Sequence, residues 1–259
     1  MATALNIAWF NGQFAALADI RISPLDRGYL FGDGVYEVIP VYNGQPLGMA
    51  QHLDRLQQSI AAIALGGAPS NASITAMFKD LVAANGGGDM SLYLQVSRAG
   101  DDGRDHRYPE ASGCNVFAMA AALSPPDVAR YEAGVKLMQM QDLRWQRCDI
   151  KTTSLLSNVM ARQHADLGGA DEAFLVRDGN LTEGASSAIA CIIDGVLTAP
   201  PEDAALLPSV TRALTWEIAS AEGIPTAERA LSVTEALAAE EMLLLSSTRE
   251  IAPVVAVDT

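Results

Sequence analysis

The sequence predicts a mixed α/β (mixed α+β) protein of two domains, built from helices and largely antiparallel strands. Three observations carry that prediction. Asn-Gly or Asp-Gly pairs recur between strand-like segments, at Asn11-Gly12, Asn43-Gly44, Asp178-Gly179 and Asp194-Gly195, and such pairs suit the positive backbone angles of two-residue hairpin turns. Apolar residues at helical spacing lie between the hairpins, as in Leu53, Leu56, Ile60 and Ile63. Near mid-chain, Leu123-Ser124-Pro125-Pro126-Asp127 places two prolines where neither a helix nor a sheet can continue. The expected organisation is therefore an N-terminal domain over 1–122, a linker over 123–127 and a C-terminal domain over 128–259.

The elements follow in order. After the first hairpin, the Leu53 to Ile63 helix ends at Gly66-Gly67, and Ser70 caps a second helix reaching about Ala84. The Gly86-Gly87-Gly88 loop then leads into a strand from Ser91 to Arg98, and another strand runs from Asn115 to Ala121. Beyond the linker, Leu155, Leu156, Val159 and Met160 form an apolar helical face that closes at Gly168-Gly169. Ala173 to Val176 opens a hairpin region reaching Ile193, and a helix after Pro208-Ser209 stops at Gly223. Ser232 with Glu235 fits a capping box, ahead of a strand-like run from Met242 to Leu245.

At 259 residues with 49% apolar and 19% charged side chains, the chain has core-forming material that a disordered sequence lacks. Its 17 basic against 31 acidic residues give a net charge of −14, the opposite of the footprint that binds phosphate backbones, so nucleic acid is not an expected partner. Of the 17 basic residues three are lysines, Lys79, Lys136 and Lys151, and lysine is therefore not general surface decoration here. Cys114, Cys148 and Cys191 are odd in number and lack metal-ligand spacing, which argues against a disulfide framework and a zinc site. No apolar run is long enough to span a bilayer and Met1 to Trp9 lacks the pattern of a secretory signal, so the expectation is a soluble cytoplasmic protein without a membrane partner.

Several residues carry chemical potential. Lys151 sits at the end of Cys148-Asp149-Ile150-Lys151, between a strand and the apolar helix. An amine shielded there is a candidate nucleophile toward a carbonyl carbon, or else a lysine reaching solvent from a junction. Glu183, in Leu181-Thr182-Glu183-Gly184, suits a carboxylate partner for a ring nitrogen, or a solvated turn. The start of the Ser209-Val210-Thr211 helix offers backbone N–H groups and a hydroxyl for an anion. Ser246-Ser247-Thr248 and Arg55 could add donors, or be a strand end and an ion pair beside Asp54. Arg104-Asp105-His106 could clamp a carboxylate, or be a solvated loop. His52 and His164 fall in helical patterns away from any constellation. The string Asp26-Arg27-Gly28-Tyr29-Leu30-Phe31-Gly32-Asp33-Gly34-Val35-Tyr36-Glu37 fits neither common phosphate-loop pattern; a tight turn feeding a strand explains its glycines but not the rest.

Together these segments resemble the pyridoxal-phosphate enzymes of fold type IV, and within them the D-amino-acid (D-alanine) aminotransferases. The resemblance rests on an ordered series: DRGYLFGDGVYEV at 26–38, HLDRL at 52–56, YLQVSRAGDDGRDHRYPE at 93–110, RWQRCDIK at 144–151, TEGASS at 182–187, VTR at 210–212 and SSTREIAPV at 246–254. It implies two domains, each a largely antiparallel or mixed sheet with packed helices, the second carrying the cofactor lysine and most of the phosphate site. It implies pyridoxal 5'-phosphate as cofactor and ping-pong transamination between D-amino acids and 2-oxo acids. Lys151 becomes the lysine that binds the cofactor and shuttles the Cα proton, and Glu183 the partner of the ring nitrogen. Arg55, Val210, Thr211 and Ser247 match the phosphate-binding positions, and Tyr36, Arg104 and His106 match the trap for the substrate carboxylate. The resemblance further implies a homodimer whose Arg104–His106 loop reaches the neighbouring subunit's site, with no metal.

Branched-chain L-amino-acid aminotransferases, aminodeoxychorismate lyases and (R)-amine transaminases of the same fold remain alternatives, as does a non-catalytic cofactor-binding protein. The first two share the lysine and glutamate but not the Arg-x-His loop beside this tyrosine. Three departures from the pattern stand out: Ala188 where an Asn is usual, Ser209 where a Gly is usual, and an end at Thr259 where relatives continue, which suggests truncation or a naturally short C-terminus.

Overall fold

The computed structural model describes residues 3–100, 103–109, 113–124 and 128–258. Asp101, Asp102 and Glu110 of the expected carboxylate loop, Pro125, Pro126 and Asp127 of the expected linker, and Thr259 lie outside the described residues. The chain forms two compact units, Met1–Pro125 with Ile150–Ser154, and Pro126–Asp149 with Leu155–Thr259.

The first unit contains β1 (Ala4–Phe10), β2 (Gln13–Ala16), α1 (Arg27–Phe31), β3 (Gly34–Tyr42), β4 (Gln45–Pro46), α2 (Met49–Ala62), α3 (Asn71–Ala84), β5 (Met90–Arg98) and β6 (Cys114–Ala122). Its six strands form one sheet in the order β2-β1-β6-β5-β3-β4, antiparallel at every pairing. Asn11 and Gly12 both have positive φ, as do Asn43 and Gly44, which is the backbone twist that lets a two-residue loop join right-twisted strands. Helix α2 buries Leu53, Leu56 and Ile60 on one side, against Val35, Ile39, Leu92 and Leu94 of the sheet, with Phe78 and Leu81 of α3 completing the core. Ser70 accepts from Ser73 N at 3.2 Å to start α3.

The second unit contains α4 (Val128–Ala133), β7 (Val135–Gln141), α5 (Leu156–Leu167), β8 (Glu172–Arg177), β9 (Asn180–Leu181), β10 (Ala188–Ile193), β11 (Val196–Ala199), α6 (Val210–Ala221), β12 (Thr226–Glu228), α7 (Val233–Leu237), β13 (Glu241–Ser246) and β14 (Glu250–Val257). Eight strands form a mixed sheet in the order β12-β11-β10-β13-β14-β7-β8-β9. It is parallel at β11–β12, β14–β7 and β7–β8, each a pairing whose connection includes a helix. The Asp178-Gly179 and Asp194-Gly195 turns form as expected, with positive φ throughout. Ser209 and Ser232 cap α6 and α7, the latter through a complete capping box.

Three features depart from the sequence expectation. Residues 27–31 form a short helix rather than a simple turn, because the Asp26 carboxylate caps Tyr29 N at 3.1 Å and Gly32 closes the helix at φ +63°. The apolar face of α5 is solvent-exposed in the single chain, with Leu156, Val159 and Met160 all more than half accessible. Lys151, expected in the C-terminal domain, lies in Ile150–Ser154 with the first unit. Backbone bonds explain that placement: Tyr36 N donates to Lys151 O at 3.0 Å and Thr153 N to Gly34 O at 3.0 Å, while Lys151 N donates to Ser59 Oγ at 3.1 Å.

Candidate active site

In the first unit the site is built on β3 and α2. Alternation along β3 presents Tyr36 on one face and Glu37 on the other, and Glu37 is fully buried. A carboxylate in that position needs partners, and α2 supplies them from residues three apart, hence neighbours on one face. Arg55 donates from Nε to Glu37 Oε1 and from Nη2 to Oε2, both at 2.7 Å, and His52 Nδ1 lies 2.8 Å from Oε2. Burial alone would raise the Glu37 carboxyl, but the Arg55 bond and charge, with His52 and the Lys151 ammonium, outweigh it and hold the group at about 2. Burial lowers His52, and the Arg55 and Lys151 charges add to that effect despite Glu37. His52 is thus neutral near pH 7 and donates its Nδ1 proton to the carboxylate.

The expectation that His52 stands apart from any constellation is therefore corrected: its helical position faces the buried Glu37. Arg55 pairs with Glu37 rather than Asp54 for the same reason. Lys151 has its backbone pinned from two sides, by Tyr36 and Ser59, and its Nζ lies 4.2 Å from the Tyr36 ring centroid. Tyr36 in turn stacks on Tyr93 at 5.7 Å. The structure thus brings Lys151, Tyr36 and Arg55 into one cluster around Glu37, a residue that the sequence showed without assigning it a role. Its signal was a charged residue inside the apolar strand Val35 to Val41.

Arg104 and His106 lie in the 103–109 loop after β5, and they gather around Phe31 of α1. The His106 ring is 5.2 Å from that of Phe31 and the Arg104 guanidinium is 5.6 Å from its centroid. The loop borders a cleft of about 640 Å³ lined in part by Arg27, Arg104, Arg107 and Tyr108.

In the second unit, Glu183 follows β9 and is buried. It accepts hydrogen bonds from Arg144 Nη1 and from Leu207 N at 3.3 Å. Arg144 is shared with Asp142, which takes its Nε at 2.9 Å and its Nη2 at 2.8 Å, and Asp142 also accepts from Arg177 at 2.9 Å and Thr182 at 3.0 Å. Burial raises the Glu183 carboxyl, and Arg144 only partly offsets it. The turn that follows is fixed by the fully buried Glu172, which accepts from Ala185 N at 3.2 Å and Ser186 Oγ at 2.7 Å. Arg144 and Glu172 were not singled out from the sequence, although Arg144 opens the quoted segment 144–151. Ser209 Oγ caps α6 by accepting from Arg212 N at 3.2 Å, so Val210 and Thr211 occupy its first turn, where backbone N–H groups have no preceding helical acceptor. Ser247 sits in the turn between β13 and β14.

Comparison with known proteins identifies the family. Residues 34–257 match the amino-transferase class IV family, and the chain belongs to that family. It is 37% identical to a D-alanine aminotransferase of Bacillus licheniformis over 96% of this chain and 87% of the relative. Among solved structures it resembles the 4-amino-4-deoxychorismate lyase of Pseudomonas aeruginosa, with a TM-score of 0.84 and 27% identity over 97% of this chain and 91% of that one. It also shares its fold with the T.th. branched-chain amino acid aminotransferase solved with pyridoxamine 5'-phosphate, with a TM-score of 0.89 and 20% identity over 99% and 87% of the two chains.

Proposed function

We propose that the protein is a pyridoxal-phosphate-dependent aminotransferase that moves the amino group of a D-alanine-like D-amino acid to a 2-oxo acid by a ping-pong mechanism. The observation that carries this reading is Lys151, pinned through both backbone polar groups with its amine against Tyr36 and the Glu37–Arg55–His52 cluster. The 37% identity to a D-alanine aminotransferase across almost the whole chain selects the D-amino-acid branch.

The residues present fit the cofactor. In the second unit the first turn of α6 with the Thr211 hydroxyl suits a phosphate, and the family resemblance would add Ser247 and Arg55, whose Nε and Nη2 already bind Glu37. Ser187 Oγ, beside the Glu183 turn, is buried without a hydrogen-bond partner, which is unusual in a packed interior unless a ligand completes the site. The buried Glu183 carboxyl, raised by its surroundings, gains most from a protonated ring nitrogen beside it. When bound, the cofactor supplies a ring that withdraws electrons from the substrate Cα. Lys151 holds the cofactor, then serves as the base that removes the Cα proton and as the acid that returns it. Tyr36, Arg104 and His106 orient the substrate carboxylate.

The protein acts as a homodimer in this proposal, supported by the apolar face of α5, where Leu156, Val159 and Met160 lie exposed as interface cores do before assembly. Cys114, Cys148 and Cys191 are free thiols, which suits the reducing cytoplasm. Among the described residues no helix is long and apolar enough to cross a membrane. A panel of D- and L-amino acids with pyruvate and 2-oxoglutarate tests the reading: D-alanine and its small homologues should be the best donors. A preference for L-amino acids would transfer the assignment to the branched-chain enzymes.

A further inference from the structure

The segment Asp26 to Asp33 has no assigned role, yet its side chains hold the loop that carries Arg104 and His106. Arg27 is 5% exposed. Its Nε donates to Asp33 Oδ2 at 2.9 Å, and its Nη1 donates to the carbonyls of Asp105 at 2.6 Å and Arg107 at 3.2 Å, the two residues flanking His106. Asp33 is shared with Arg98, whose Nε lies 3.1 Å from Oδ2 and whose guanidinium lies 3.6 Å from the Tyr108 centroid. Arg27 and Phe31 are four residues apart on α1 and therefore adjacent on its surface; the guanidinium is 4.9 Å from the Phe31 centroid, the ring on which Arg104 and His106 both rest. The glycines of the string serve the same contact. A Cβ at Gly28 would come within 2.8 Å of Ser97, and one at Gly34 within 2.9 Å of the Val96 carbonyl, so α1 and β3 lie close on β5, the strand that leads into the loop.

We propose that Arg27 is the positioning residue of the substrate-carboxylate loop: charged, buried and fixed by Asp33, it holds the backbone of residues 105 and 107 so that Arg104 and His106 present a preformed carboxylate site. This inference rests on the D-amino-acid reading for its kinetic consequence but not for its structural one. Asp33 keeps the Arg27 fork oriented, and Arg98 with Tyr108 secures the far end of the loop, so the clamp consists of two arginines sharing one carboxylate. Arg107 and Asp105 pair with each other on the outer side and leave the inner carbonyls to Arg27.

The test uses the holoenzyme and the Arg27→Gln variant, with Arg27→Lys as a second form that keeps a cation opposite Asp33 but lacks the fork needed to reach both carbonyls as well. Arg27→Gln should keep the cofactor absorbance, accelerate amide hydrogen exchange across 103–109, and lower kcat/KM for D-alanine roughly 10- to 100-fold, mainly through KM. Combined with Arg104→Leu it should lose little beyond Arg104→Leu alone, because a residue that acts through another is not additive with it. Arg27→Lys should fall between the native protein and Arg27→Gln in both readouts. Unchanged exchange over the loop in both variants, or losses that multiply with those of Arg104→Leu, would overturn the proposal. If Arg104→Leu itself leaves D-alanine turnover intact, the carboxylate role of the loop fails, and the exchange data alone then decide whether Arg27 holds it.

Discussion

Glu37 in the first unit and Glu183 in the second are both shut off from solvent and both bound by a buried arginine, yet their carboxyl groups are pushed in opposite directions. The difference lies in how each arginine is shared. Arg55 gives two parallel bonds to Glu37, and His52 and the Lys151 ammonium add to it. Arg144 divides its donors between Glu183 and Asp142, and the Asp142 charge opposes ionisation of its neighbour. Burial, which costs any carboxylate several kcal/mol in principle, is therefore overcome at Glu37 and not at Glu183. The first site is a closed ion cluster beside the Lys151 amine; the second is short of positive charge, as the proposed partner of a cationic ring nitrogen would be.

The largest expected effect removes the amine that adds to the first cluster. Lys151→Ala should lower turnover roughly 10⁴-fold or more while leaving part of the cofactor affinity. Borohydride treatment of the native protein should attach the cofactor irreversibly to Lys151; a label on Lys79 or Lys136 would break the assignment. Next, Glu37→Gln strands Arg55 without its carboxylate and should cost about 3–5 kcal/mol of stability. Glu183→Gln should cost much less, since Arg144 keeps Asp142. Urea unfolding of the cofactor-free proteins compares the two, and equal losses would erase the distinction drawn between them. In turnover the order reverses for Glu183: Gln in its place keeps the shape but not the charge, and kcat should fall roughly 10²- to 10³-fold with a smaller change in cofactor binding. Loss of cofactor with unchanged kcat would make Glu183 an anchor only.

Local chemistry made part of this arrangement legible in the sequence. All four Asn-Gly and Asp-Gly turns form, and Ser70, Ser209 and Ser232 cap helices, because turns and caps depend on residues a few positions apart. The strand β14 was not expected, and β7 only as a strand without bounds ahead of Lys151. They run through Val-Lys-Leu-Met-Gln-Met-Gln and a Pro-containing segment, and they pair in parallel across more than a hundred residues, a partnership that no short-range pattern announces. The site followed the same rule. Lys151, Glu183 and Tyr36 could be placed by resemblance to ordered motifs, whereas Glu37 with His52 and Arg144 with Asp142 acquire meaning only when the fold shows which charge each one meets. The exposed α5 face had the right periodicity, but periodicity says that a face is apolar, not what covers it.

The smallest and sharpest test is the pH dependence of stability in the cofactor-free protein. Glu37 sits at about 2 against an ordinary 4.5. Its folded form therefore binds fewer protons than its unfolded form between those values, and its stabilisation, complete above about pH 4.5, is lost as pH falls toward 2. The full difference corresponds to about 3 kcal/mol as an upper figure, of which about 2 kcal/mol lies above pH 3. Glu183 has the opposite sign. With its carboxyl raised, the folded state binds more protons than the unfolded one above pH 4.5, so its burden on stability is relieved as pH falls through its folded value toward 4.5. Subtracting the unfolding free energy of Glu37→Gln from that of the native protein should give a curve that drops below pH 4.5. The same subtraction with Glu183→Gln should give one that rises on acidification above pH 4.5. Two curves sloping the same way would show that sharing of Arg144 with Asp142 does not govern Glu183, and the contrast between the two clusters would have to rest on geometry alone.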